Sequence, residues 1–167
     1  YDLWQRDDTW ETQTYPWQLV VSNRFGDPRY YDLRVLDDDA LLHGYIRRYG
    51  EPMLAYERQL RRREAPYVQR VELRAADNIY KLLFINSSLH DSQTLAARHR
   101  RHQGIEADGY LVGQLVPPMR WKLSLYTATG STLDVAQIAA KFGGGGHRTA
   151  AGFTLSSIEF EKHITLL

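Results

Sequence analysis

The chain has no cysteine, which excludes disulfides and thiolate metal sites and suits a reducing compartment. It has no run of about 18 consecutive apolar residues and no signal-peptide pattern at its start. The sequence therefore predicts a soluble, cytoplasmic protein with no membrane partner. Nor is charge of one sign in excess: 21 basic against 20 acidic residues leave a formal +1, so contact with nucleic acid has to come from a local patch and not from the overall field. Repeats are lacking too, and four adjacent glycines are the one low-complexity tract. What is present is ordinary for a globular protein. With 43% hydrophobic and 25% charged residues, 167 residues suffice for one well-packed domain carrying a remnant of another. The chain opens on Tyr1 beside Leu3 and Trp4, and is expected to be a piece of a longer protein.

Residues 1–36 are rich in aromatics (Trp4, Trp10, Tyr15, Trp17, Phe25, Tyr30, Tyr31), punctuated by Pro16, Gly26 and Pro28. They show no sustained helical period, and loops with one strand near Gln18–Ser22 are expected. From residue 37 the pattern sharpens. Asp37, Asp38 and Asp39 precede Leu41, Leu42, Tyr45, Ile46 and Tyr49, the spacing of an amphipathic helix behind acidic caps, with Gly50 as its stop. Pro52 then starts a second helix running toward Arg63. Alternating apolar residues predict a hairpin over 68–86 turning at Asp77 and Asn78, then a helix from Asp91 or Ser92 to about His102. A second hairpin is expected over 109–126 around Pro117 and Pro118, a helix over 132–142, a strand over 150–155, and a short helix from Ser157. This order predicts a mixed α/β (α+β) fold, a central mixed sheet flanked by helices, with residues 1–36 a remnant or linker and 37–167 the main domain.

The most informative stretch is Phe142 to Phe153. Alone, four glycines are usually a flexible linker. Here a helix ends at Phe142 and an apolar segment resumes at Ala150, so Gly143, Gly144, Gly145 and Gly146 are pinned at both ends. One glycine serves as the left-handed residue after the helix. The others are expected to turn several backbone N–H groups into a concavity for phosphate or carboxylate oxygens, helped by His147 and Arg148 against the negative end of the preceding helix. The bland alternatives are a surface or core histidine and a solvated arginine. The order of elements excludes both the nucleoside-triphosphate loop and the dinucleotide-binding turn, which need their glycines ahead of a helix.

The run from Phe142 through His147, Arg148 and Thr149 to Phe153, preceded by Asp134, Val135, Ile138 and Ala139, resembles the signature of the C-terminal, DHH-associated domain of DHH-family phosphoesterases. The resemblance extends more weakly over residues 50–165, through Phe84-Ile85-Asn86-Ser87 and Lys122 to Thr127. It implies that 37–167 is a substrate-binding domain whose glycine loop (Gly143, Gly144, Gly145, Gly146), His147 and Arg148 hold a short single-stranded oligonucleotide or small nucleotide. It also implies an N-terminal DHH domain carrying manganese, of which 1–36 is the end and beside whose metals Asp2 would lie. The chain contains no Asp-His-His, so it carries no catalytic residue or metal of its own on this reading. It should bind weakly and hydrolyse nothing, while the parent protein is a hydrolase. One departure stands out: many members carry an Arg-Ser pair where this chain has Tyr126 and Thr127, which leaves a strand aromatic and a strand threonine as equal readings there, just as Asn86 can be a plain turn residue.

Other features are weaker. Arg61-Arg62-Arg63 and Arg98-His99-Arg100-Arg101-His102 are either phosphate contacts or solvated helix faces. A second class of function is a stand-alone RNA-binding or regulatory module related to the C-terminal domain of alanyl-tRNA synthetases, which lack the histidine after their glycines. A third is an interaction domain whose exposed Trp4 and Trp10 meet a partner.

Overall fold

The computed structural model describes residues 9–88, 92, 95, 96, 99, 106–128 and 130–167. It is a mixed α/β structure and divides into two compact units, Tyr1–Arg61 and Arg62–Leu167. The division falls after Arg61 and not after residue 36. None of the helices among the described residues is long and apolar enough to cross a membrane.

The N-terminal unit is helical over residues 10–25, which corrects the expectation of a strand near Gln18–Ser22, while residues 26–38 are loop with two short 3-10 turns. Wide turns at Trp10–Thr14 and Val21–Phe25 flank helix α1 (Tyr15–Val20). Pro16 has no N–H to give to the ladder, and the helix accommodates it by closing the preceding turn five residues back, from Tyr15 N–H to Trp10 O. The aromatic residues that hid the period are the core: Phe25 meets Trp17, Tyr31 and Tyr45 edge-on or tilted, with ring centres 5.5 to 6.1 Å apart. Trp10 is not a free surface ring, because it stacks on Tyr15 at 5.6 Å.

Helix α2 (Asp39–Tyr45) starts where expected, its Asp38 cap accepting from Leu41 N–H at 2.9 Å. Gly50, however, stops nothing. The chain stays helical through Ile46–Gly50 into α3 (Glu51–Glu64). Its glycine has a tertiary reason instead, since a Cβ at position 50 would lie 2.5 Å from the Pro16 carbonyl oxygen. Arg61 is likewise not a surface cation: it pairs with Glu57 at 3.1 Å and donates to Tyr15 Oη at 2.8 Å.

The C-terminal unit is built on a seven-stranded sheet. Its strands are β1 (Gln69–Ala75), β2 (Asn78–Asn86), β3 (Gly109–Val116), β4 (Arg120–Thr127), β5 (Gly145–His147), β6 (Ala150–Ser156) and β7 (Ile164–Leu166), in the order β5-β6-β4-β3-β2-β1-β7. Only the β2–β3 pair is parallel among these neighbours. The first hairpin turns at Ala76-Asp77, one residue before the expected place, with Ala76 left-handed. That register keeps Val71, Leu73 and Ala75 on the buried face, and a one-residue slip would reverse it.

Each face of the sheet has its own core. On one face Val71, Leu82, Leu111, Leu123, Leu125 and Phe153 pack with Val135, Ile138 and Ala139 of helix α4 (Val135–Ala140), and Phe160 of α5 (Ser157–His163) joins them. On the other, Leu83, Ile85, Tyr110 and Val112 meet Leu95 and Ala96. Leu95, Ala96 and His99 are helical, as expected, while the rest of the predicted 91–102 helix, including Arg98, Arg100, Arg101 and His102, lies outside the described residues.

Candidate functional site

The glycine run is the continuation of a well-anchored helix. Asp134 starts α4 by accepting from the N–H groups of Ala136 and Gln137 at 3.1 and 3.2 Å. The helix ends in a double cap. Gly143 is left-handed at φ +74°, its N–H donates to Ala140 O at 3.1 Å, and the Gly144 N–H donates to Ala139 O at 2.9 Å. The left-handed glycine after the helix was legible in the sequence. The concavity built from successive glycine amides is not formed, because two of the four amides are spent on the carbonyls at the helix end. The same two bonds quench the negative helix end that would otherwise oppose an anion.

The remaining residues form a hairpin and not a loop. Gly145, Gly146 and His147 pair antiparallel with Gly152, Ala151 and Ala150, and Arg148-Thr149 make the turn. Strand β5 went unread because three residues, two of them glycine, carry no strand signal. Packing dictates two of the glycines. A Cβ on Gly144 would lie 2.1 Å from Gly152 O, and one on Gly146, at φ +149°, would lie 2.6 Å from Ala150 O. Gly145 differs from both. Its φ is not in the left-handed range and a Cβ there would meet no described atom within 4 Å, so neither conformation nor packing demands glycine.

The strand pairings fix what surrounds that open position. Residues two apart on a strand share a face, so the vacancy at Gly145 and the imidazole of His147 lie side by side, about 7 Å apart. Across the sheet the register continues this face as two rows, Gly145–Gly152–Ser124 and His147–Ala150–Tyr126. The floor beside His147 is therefore made of glycine, alanine and serine, with Tyr126 at the far end of its own row. His147 is exposed, and its ring makes no hydrogen bond or ion pair with the described residues.

Arg148 sits at the hairpin tip and its backbone is held firmly. Its carbonyl accepts from Val135 N–H at 2.9 Å and from Thr127 Oγ1 at 3.3 Å, while the Thr127 N–H donates to Thr149 O at 3.1 Å. Thr127 also donates to Leu133 O at 2.9 Å, so this residue clamps the hairpin to the loop that precedes α4. The N–H groups of Arg148 and Thr149 make no hydrogen bond among the described residues, and the Arg148 guanidinium has only a long contact, 3.4 Å, to Thr132 O. A charged side chain, an imidazole and two adjacent N–H groups thus stand at one exposed tip on a rigid base. Sequence reasoning named His147 and Arg148; it missed the tip amides and the clamping role of Thr127, which show only once the hairpin is formed.

The other singled-out residues divide. Tyr126 shares the His147 row, whereas Asn86 ends β2, level with Gly113 and Leu123, two strands from β4. His99 is half-buried against the sheet with Nδ1 3.0 Å from Tyr110 Oη, the environment of a packed histidine. Asp2 and Trp4 lie outside the described residues.

No family model matches the chain, and no curated protein matches it. Among solved structures, the pGpG-specific phosphodiesterase PggH from Vibrio cholerae aligns with 73% of this chain at 11% identity and a TM-score of 0.46. The alignment spans 46% of that chain, about half of its length. Likeness of this degree leaves function to be argued from the site itself.

Proposed function

We propose that the unit Arg62–Leu167 is the nucleotide-binding, DHH-associated domain of a phosphoesterase that acts on short oligonucleotides or small nucleotides. The observation that carries this is Gly145. No described atom stands where its side chain would be, it lies on an exposed strand, and on the same face its neighbour is His147, whose ring makes no hydrogen bond or ion pair with a described residue. Absence of a side chain at such a place makes room for something that binds there, and the neighbouring groups say what. His147, the Arg148 guanidinium and the tip N–H groups are all suited to donate to anionic oxygens, and a phosphate is the compact anion that accepts from several donors at once.

In such an enzyme a manganese pair on a DHH domain would supply an activated water and neutralise developing charge. The residues of this chain bind and orient: Thr127 fixes the hairpin, the small-residue floor admits the ligand close to backbone, and His147 and Arg148 hold the phosphate. The test is a titration of the chain with inorganic pyrophosphate and a trinucleotide. His147→Ala should weaken both by about tenfold, the loss of one hydrogen bond to a charged group, with an unchanged melting temperature. Unchanged affinity, or a fall in melting temperature without a fall in affinity, refutes the assignment. The synthetase-related RNA-binding alternative gains nothing from the geometry, because the histidine that such modules lack stands at the centre of the site.

A further inference from the structure

Beside the hairpin tip lies an open cleft of about 630 Å³, lined among others by Lys81, His99, Glu106, Asp108, Ser131 and Thr132. Resting on the phosphate assignment above, we infer that this cleft holds the nucleoside attached to that phosphate. Its position is the first reason. The Arg148 guanidinium contacts the carbonyl of Thr132 at the cleft wall, so the phosphate grip and the cleft adjoin. A continuous run of backbone bonds joins them: Thr127 N–H to Thr149 O, Ala128 N–H to Asp108 O at 3.2 Å, and Ser131 N–H to Ala128 O at 3.0 Å. Tip and cleft therefore keep a fixed spacing, as a site for two parts of one molecule must.

Charge is the second reason, and it sets the orientation. Among the described lining residues there are two carboxylates and one lysine, and Lys81 is already engaged with Glu106 at 3.4 Å. A phosphate would be repelled from this wall and drawn to Arg148. A neutral nucleoside would not be, and its amino and hydroxyl groups are donors that carboxylates accept. Asp108 is built for that role. Its Oδ2 accepts from Lys81 N–H at 2.8 Å, and its own N–H donates to Lys81 O at 2.7 Å, so the carboxylate is held in one orientation, with Oδ1 making no hydrogen bond among the described residues. The volume falls within the range of small-molecule sites, roughly 300–1,000 Å³.

The experiment measures binding of pyrophosphate and of the four ribonucleoside 5′-monophosphates to the whole chain. The wild type should bind its best monophosphate more tightly than pyrophosphate. Asp108→Asn keeps an oxygen for the Lys81 N–H but presents a donor where the ligand needs an acceptor, and should weaken that nucleotide by about tenfold while leaving pyrophosphate unchanged. Thr132→Trp alters an exposed cleft-wall residue whose contact with Arg148 is through its backbone, and should block nucleotide and not pyrophosphate. Nucleotide binding unaffected in both variants, or wild-type nucleotide binding no tighter than pyrophosphate, overturns the inference and leaves the hairpin assignment standing. Failure of pyrophosphate binding itself removes the hairpin assignment and the inference with it.

Discussion

A valine at position 145 should separate the ligand site from the fold. Gly145 is on a strand, its φ is accessible to any residue, and no described atom stands within 4 Å of a Cβ placed there. Replacing it removes the backbone entropy that a glycine loses on folding, a gain of about 0.5–1 kcal/mol, and valine suits an extended strand. In a unit of this size that corresponds to a rise in melting temperature of about 2–8 °C. The same side chain fills the space beside His147, so binding of pyrophosphate or nucleotide should fall below detection. The neighbours should behave oppositely. Gly144→Val drives a side chain into the Gly152 carbonyl, 2.1 Å away, and Gly146→Ala meets both a φ of +149° and the Ala150 carbonyl, so each should lower stability, the latter by about 1–3 kcal/mol. The assay is a thermal melt and a ligand titration on the three variants in parallel. A Gly145→Val protein that binds normally, or one that is less stable than the wild type, refutes the claim that this glycine is kept open for a ligand.

Three further outcomes follow from the same structure. Thr127→Val removes the hydroxyl that bridges Leu133 O and Arg148 O; it should cost about 1 kcal/mol in a denaturant melt and weaken pyrophosphate binding through a looser hairpin. Asp134→Ala uncaps α4 and should lower stability by about 1 kcal/mol, with Asp134→Asn restoring most of it. The Asp32 carboxyl is held down to about 2 by the Arg34 side chain, so its contribution to folding is complete above the ordinary aspartate range near 3.8 and is lost as pH falls toward 2. Arg34→Gln should flatten that part of the acid unfolding curve of the N-terminal unit, and an unchanged curve would show that the pair contributes nothing.

Much of this protein was legible in the sequence because its signals are local. Alternation at Val71, Leu73 and Ala75, the aspartate cap at Asp38, and Gly143 after the α4 helix each act within a turn or a strand, and those elements formed at or within a few residues of where the sequence put them. The glycine run with His147 and Arg148 also drew attention to one place in the chain, since four glycines pinned between two apolar segments need a reason. Other features had no local signal. Gly50 looks like a helix stop until Pro16 is brought against it, and the aromatics of residues 10–31 conceal a helix because they form a core on several sides rather than a stripe. Strands β5 and β7 are three residues long and exist because β6 and β1 offer unpaired edges. The roles of the four glycines were likewise settled only by the tertiary structure. Their sequence is uniform, but one caps a helix, two make room for neighbouring backbone and side chain, and one is left open, because what a missing Cβ would have touched depends on chain that folds in from elsewhere.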